Sequence, residues 1–157
     1  MTHELFTKLE WSELVRVLIR LSVSVLLGAS IGWERERRRR FAGLRTHILV
    51  TLSSASFMML GAEVAEQSNG DPVRVVQAVA MGVGFLGAGT ILKLPQERRV
   101  EGLTTASSIW TAAAMGVAAG AGWMILAAAI AVLTVLVLAV LRKAEAHALG
   151  TRSPADD

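Results

Sequence analysis

Four groups of residues in this 157-residue chain have the types and spacing to do chemistry. Gly82-Val83-Gly84-Phe85-Leu86-Gly87 matches the GxGxxG pattern that cradles a dinucleotide pyrophosphate. That chemistry needs a preceding strand, a following helix and a downstream acid. Here the pattern sits inside an apolar run, so Gly82, Gly84, Gly87 and Gly89 fit helix packing or bending better than a cofactor. Thr104, Ser107, Ser108 and Thr111 recur at i, i+3, i+4 and i+7 and are expected to share one helix face. Such a face either lines a hydrated path or bonds to adjacent helices, and packing is the simpler role. Glu63, Glu66 and Asp71 form one acidic group, and Glu34 with Glu36 another. Carboxylates suit a hard cation such as Mg²⁺, which keeps several of its waters. Weak Mg²⁺ binding is therefore open, although a solvated loop and a helix cap account for the first group, and adjacent arginines for the second. Finally, Arg16 and Arg20 lie within an apolar run, where a charge is a functional candidate by default. Both stand near one end of it. Arg16 is expected to snorkel and pair with Glu13, whereas Arg20 either snorkels or faces a buried partner, for which Gln77 is the candidate.

Other chemistry is excluded or unsupported. With no cysteine there is no disulfide or thiol chemistry. His3, His47 and His147 have no nucleophile–base context and form no ligand cluster, and His47 is either an interfacial residue or one facing a cavity. No cofactor or catalytic residue is expected.

The elements that position these groups are apolar helices. The chain is 53% hydrophobic with mean hydropathy +0.51, which fits a small integral membrane protein. Residues 14–33 form a first span of ~30 Å at ~1.5 Å per residue, matching the hydrocarbon core, and Trp11 and Trp33 bracket it as interfacial aromatics. Within it Gly28 and Gly32 form a GxxxG pair that permits close helix approach. The stretch Glu34 to His47 follows, with Arg35, Arg37, Arg38, Arg39, Arg40 and Arg45. A short arginine-rich loop beside a span stays in the cytoplasm, and the same run suits anionic headgroups or an acidic partner surface. Glu34 with Arg38 and Glu36 with Arg40 are i,i+4 pairs that can carry the helix into water.

The second span is expected over 44–62, with a polar outer loop to Gly70. Asp71-Pro72 is a helix start, and the third span covers 73–92. A basic inner loop occupies Lys93 to Gly102. Leu103 to Leu141 carries no charge, and as one helix would be ~58 Å long, so it must turn back, at Gly120-Ala121-Gly122. Spans 103–119 and 123–141 result, with 142–157 a cytoplasmic tail. The expectation is a single all-α membrane domain of five transmembrane helices, N-terminus outside and C-terminus cytoplasmic. Spans 1, 3 and 4 should form its polar interior, and span 5, almost purely aliphatic, should face lipid. Residues 1–13 read as an amphipathic lead-in rather than a cleaved signal.

Three runs, GASIGWERERRRRFAGLRTH, DPVRVVQAVAMGVGFLGAGTIL and VEGLTTASSIWTAAAMGVAAG, resemble the membrane domain of the MgtC/SapB family. By position the motif residues are Glu34, Glu36, Gly43, Leu44, Arg45, Thr46 and His47. The second run contributes Asp71, Pro72, Gln77, Gly82, Gly84, Phe85, Gly87 and Gly89. The third contributes Gly102, Leu103, Thr104, Thr105, Ala106 and Trp110. The resemblance implies a multi-pass bacterial inner-membrane protein linked to magnesium limitation and acid or intracellular stress. It is implied to be a non-enzymatic regulator of another membrane protein, with a transporter or channel for Mg²⁺ or another small ion as the alternative. Longer members carry a soluble C-terminal domain, for which this sequence has only a short tail. A homo-oligomer joined through small-residue faces is expected, and nucleic acid is not an expected partner.

Overall fold

The computed structural model describes residues 11–94 and 99–149, with side chains described over 11–91 and 100–141. Five helices follow one another: α1 (Trp11–Arg37), α2 (Leu44–Ser68), α3 (Val73–Ala88), α4 (Leu103–Gly120) and α5 (Met124–Leu149). A short antiparallel hairpin, β1 (Leu92–Leu94) with β2 (Arg99–Glu101), joins α3 to α4, pairing Leu92 with Glu101. Three of the helices, α1, α2 and α5, are long and apolar enough to cross a membrane, and α3 is a shorter apolar helix.

The bounds differ from the sequence expectation where polar residues keep helical geometry. The expected outer loop over 63–70 is mostly the last turns of α2, which ends in the left-handed Asn69. The expected third span, 73–92, stops at Ala88 because Thr90 and Ile91 turn back on Gly87 and Ala88 before β1 begins. α5 continues through the start of the expected tail to Leu149. The expected amphipathic lead-in falls outside the described residues as far as residue 10, and so does the tail beyond residue 149.

The centre is held by glycine. A Cβ on Gly28 of α1 would stand 2.8 Å from the His47 carbonyl oxygen and 2.9 Å from Ile48 Cα, and one on Gly32 would stand 2.7 Å from Leu44 Cα. On the other side of α2, a Cβ on Gly116 would meet Ser54 Cβ at 2.8 Å, and one on Gly120 would meet Ala55 Cα at 2.9 Å. α2 is thus gripped between two GxxxG faces, and such close backbone approach is what small residues permit between apolar helices. Thr51 sits where the two grips meet, fully buried, its hydroxyl donating to the carbonyls of His47 (2.8 Å) and Ile48 (3.0 Å).

α4 is the most enclosed helix, with Ile109, Ala112, Ala113, Met115, Ala118 and Ala119 all buried. α3 is buried along a single stripe of Val79, Val83 and Gly87. α5 is mostly exposed over its described residues and buries Ala127 and Ala131. The polar interior belongs to α1, α2 and α4, not to α1, α3 and α4. Ser24, Arg35, His47, Thr51, Ser54, Thr105 and Ser108 are buried, whereas Gln77 of α3 is exposed.

Candidate functional site

The buried polar residues converge where the end of α1 and the start of α2 meet the start of α4. The α1–α2 turn is tight, with Arg38 N donating to Arg35 O (3.1 Å) and Arg40 N to the same carbonyl (3.2 Å). Its two acids are both occupied. Glu34 Oε1 accepts from Arg38 Nε. Glu36 Oε2 accepts from Leu44 N at 2.9 Å, occupying one of the free N–H groups at the start of α2. Glu36 therefore caps a helix rather than pairing with Arg40.

His47, one turn into α2, is fully buried. Its Nδ1 lies 2.8 Å from Gly43 O and its Nε2 3.0 Å from Ser108 Oγ. A carbonyl only accepts, so Nδ1 carries a proton. Ser108 Oγ also contacts the Thr105 carbonyl at 2.8 Å. From α1, Arg35 Nη2 donates to Thr105 Oγ1 at 2.6 Å. Arg35 is 4% exposed, and no carboxylate lies within 4 Å of it among the described residues. Its Nε and Glu34 Oε2 are buried without hydrogen-bond partners there. Four residues from three helices (Arg35, His47, Thr105 and Ser108) thus form one buried cluster that carries the charge of Arg35.

Ser108 and Thr105 point inward, but Thr104 and Ser107 are exposed and Thr111 is half-buried, so the expected single hydroxyl face is split in two. Ser107 and Thr111 donate to the carbonyls of Leu103 (3.0 Å) and Ser107 (2.9 Å). The i, i+3, i+4, i+7 spacing spreads over an arc wide enough to straddle the helix boundary between core and surface.

At the other end of the bundle, Arg20 Nη1 donates to Gly120 O at 2.8 Å. The guanidinium thereby meets the last carbonyl of α4, at a helix C-terminus that favours a cation. Its expected partner Gln77 is exposed and not involved. Arg16 keeps to the surface, within 3.9 Å of Glu13, as expected. Asp71 Oδ1 accepts from Val73 N (2.9 Å), as expected of a cap. Arg45 and Trp110 are both exposed. Among the described residues, a Cβ on Gly82 or Gly84 would have nothing within 4 Å, and one on Gly87 would make ordinary contact with Ala106 at 3.6 Å. Of the glycines expected to pack or bend the helix, Gly87 thus lies against α4, whereas Gly82 and Gly84 face open space among the described residues. The chain's own packing glycines include Gly116 and Gly120, whose i,i+4 spacing repeats that of Gly28 and Gly32 and was the available signal for them. Arg35 is a further residue that sequence reasoning did not single out, because nothing in an arginine run distinguishes the one that turns inward.

The open spaces lie elsewhere. A groove of about 770 Å³ between α2 and α3 is lined by Phe57, Leu60, Val75, Val79, Val83 and Leu86, among others. A second of about 470 Å³ lies between α3, α4 and α5 and includes Val76, Trp110 and Leu126. Both are apolar. Among the described residues, no group of three or more acidic or histidine side chains is placed to hold a metal ion.

The family model for the MgtC family matches residues 21–147. The chain is 42% identical over 132 residues to protein MgtC of Brucella abortus, covering 84% of this chain and 54% of that protein. It is 40% identical over 132 residues to the putative magnesium transporter YhiD of Escherichia coli K12, covering 80% of this chain and 60% of the relative. Protein SrpB of Synechococcus elongatus is 45% identical over 113 residues, with 66% and 62% covered. The chain spans rather more than half the length of these relatives. No solved structure matches it.

Proposed function

The chain belongs to the MgtC family, and on that premise we propose that it is a non-enzymatic, multi-pass protein of the bacterial inner membrane that binds and regulates another membrane protein in magnesium homeostasis or stress adaptation. The observation that carries this reading is where the space lies. Most polar groups of the interior bond to one another or to backbone around α2, while two apolar grooves open on the flanks of α3. Grooves of that chemistry suit a hydrophobic helix of a partner. A photo-crosslinking residue in place of Phe57 or Leu86, in cells limited for magnesium, should give a discrete adduct with another membrane protein. The same residue in place of Leu136 on α5 should give none. Equal labelling from all three positions would overturn the reading.

The proposed topology is one membrane domain with five spans, N-terminus outside and C-terminus inside. α3, at ~24 Å, and α4, at ~27 Å, are somewhat short for a ~30 Å core, and local thinning of the bilayer accommodates such helices. The arginine-rich α1–α2 turn supports the orientation. Because the chain has no cysteine, single cysteines report topology directly. Ser68→Cys should react with an impermeant thiol reagent in intact cells and Phe41→Cys should not, and the reverse pattern would refute the orientation. The open faces of Gly82 and Gly84 suit contact with a second copy of the chain.

The second reading, transport of Mg²⁺ or another small ion, draws on the name of the Escherichia coli relative. Weak Mg²⁺ binding would fall to the acids near Asp71. A cation path through the interior hydroxyls, however, would pass Thr105, whose Oγ1 is held by the Arg35 guanidinium. A fixed positive charge in a low-dielectric site opposes a divalent cation there.

A further inference from the structure

The α1–α2 turn has a surplus of positive charge that the fold does not use. Its two acids are committed, Glu34 to Arg38 and Glu36 to the start of α2. Arg37, Arg39, Arg40 and Arg45 are exposed, and no carboxylate lies within 4 Å of any of them among the described residues. Arg39 adopts a left-handed backbone (φ 52°), and its N–H donates to Glu36 O at 2.9 Å, which closes the turn. Arg35, buried beneath, adds a further cation that no neighbouring acid within that distance neutralises.

Two large aromatics share this end of the bundle. Trp33 is 64% exposed and Phe41 is 68% exposed. Trp33 precedes Arg37 by one helical turn on the same face, so its backbone lies ~6 Å before that of Arg37 along the helix. Phe41 stands between Arg40 and the start of α2. Exposed apolar rings beside unpaired guanidinium groups suit a phospholipid, which offers an acyl chain and a phosphate next to each other. A soluble phosphate would engage the guanidinium groups but leave both rings bare.

We propose that the α1–α2 turn is a binding site for the headgroup of an anionic phospholipid, with Arg37, Arg39, Arg40 and Arg45 holding the phosphate and Trp33 and Phe41 covering the first acyl carbons. Guanidinium forks bind phosphate oxygens in pairs, which a lysine cannot reproduce. The site goes beyond the regulatory reading and needs no protein partner. It requires only that this turn lie at a membrane surface.

The test uses the full chain, purified in a neutral detergent and stripped of lipid. Phosphatidylglycerol or phosphatidylcholine is titrated in, while native mass spectrometry counts bound lipid and a melting curve records stability. Phosphatidylglycerol should bind and raise the melting temperature, phosphatidylcholine should do neither, and salt should weaken the effect. An Arg39→Gln/Arg40→Gln/Arg45→Gln variant should bind about fivefold more weakly for each arginine lost. Arg16→Gln, at the opposite end of α1, should bind as the parent does. If the triple variant does not fold, Arg39→Lys/Arg40→Lys/Arg45→Lys keeps the charge and should still lose affinity. Equal binding of the two lipids would overturn the proposal, and so would undiminished affinity in the lysine variant. Glycerol phosphate acting as strongly as phosphatidylglycerol would also overturn it, by showing a soluble-anion site instead.

Discussion

Replacing Gly116 by alanine should destabilise this protein, and replacing Gly84 by alanine should not. At Gly116 the new methyl would stand 2.8 Å from Ser54 Cβ and 3.0 Å from Thr51 C, and closer still to the Thr51 carbonyl oxygen. Carbon atoms rest at about 3.5–4.0 Å from one another, so α4 must move from α2 by about 0.7 Å or more. Overpacking of that kind costs about 1–3 kcal/mol. Ala at Gly120 meets Ala55 Cα at 2.9 Å on the same interface, so a Gly116→Ala/Gly120→Ala variant should lose less than the sum of the two, since one displacement relieves both. At Gly84 the methyl has nothing within 4 Å, and alanine's helix preference offers up to about 1 kcal/mol the other way. The assay is unfolding in one detergent at fixed lipid content, followed by melting and by the folded fraction on size exclusion. Equal losses at the two positions would refute the packing argument. Gly84→Leu then separates folding from assembly: a normal melt with a smaller oligomer would place Gly84 between copies.

Three further substitutions test the polar contacts by the same melting assay. Arg20→Ala removes a charged donor from Gly120 O at the end of α4 and should cost about 1–2 kcal/mol, whereas Gln77→Ala should stay within about 0.5 kcal/mol. Ser108→Ala leaves His47 Nε2 buried with no other described partner and should cost about 1–3 kcal/mol, while Ser107→Ala, at an exposed site, should be close to neutral. Glu36→Ala frees the N–H of Leu44 and should cost about 1 kcal/mol, a loss that Glu36→Gln partly restores if the contact is a cap.

The helices were legible because their signals are long and redundant. Apolar runs, the Asp71-Pro72 start and the turn at Gly122 (φ 87°) each mark a boundary by composition or backbone chemistry. Which face of each helix turns inward was less so. In a lipid-facing bundle both the core and the surface are apolar, and the usual contrast between them disappears. Hydroxyls can satisfy themselves on their own helix, as Ser107 and Thr111 do, so spacing alone did not separate them from Ser108. Glycine carries a similar ambiguity. The richest glycine stretch, in α3, has open space around Gly82 and Gly84, and the tight contacts fall on Gly116 and Gly120. Arg20 was recognised as a candidate, but its partner is a backbone carbonyl a hundred residues away, and backbone acceptors leave no trace in residue type.

The most direct test of the regulatory reading is Mg²⁺ entry into liposomes holding the purified, folded protein, with and without an inside-negative potential. The account predicts entry no faster than into empty liposomes. Saturable entry above that baseline would contradict it and make the interior cluster of Arg35, His47, Thr105 and Ser108 part of a pathway.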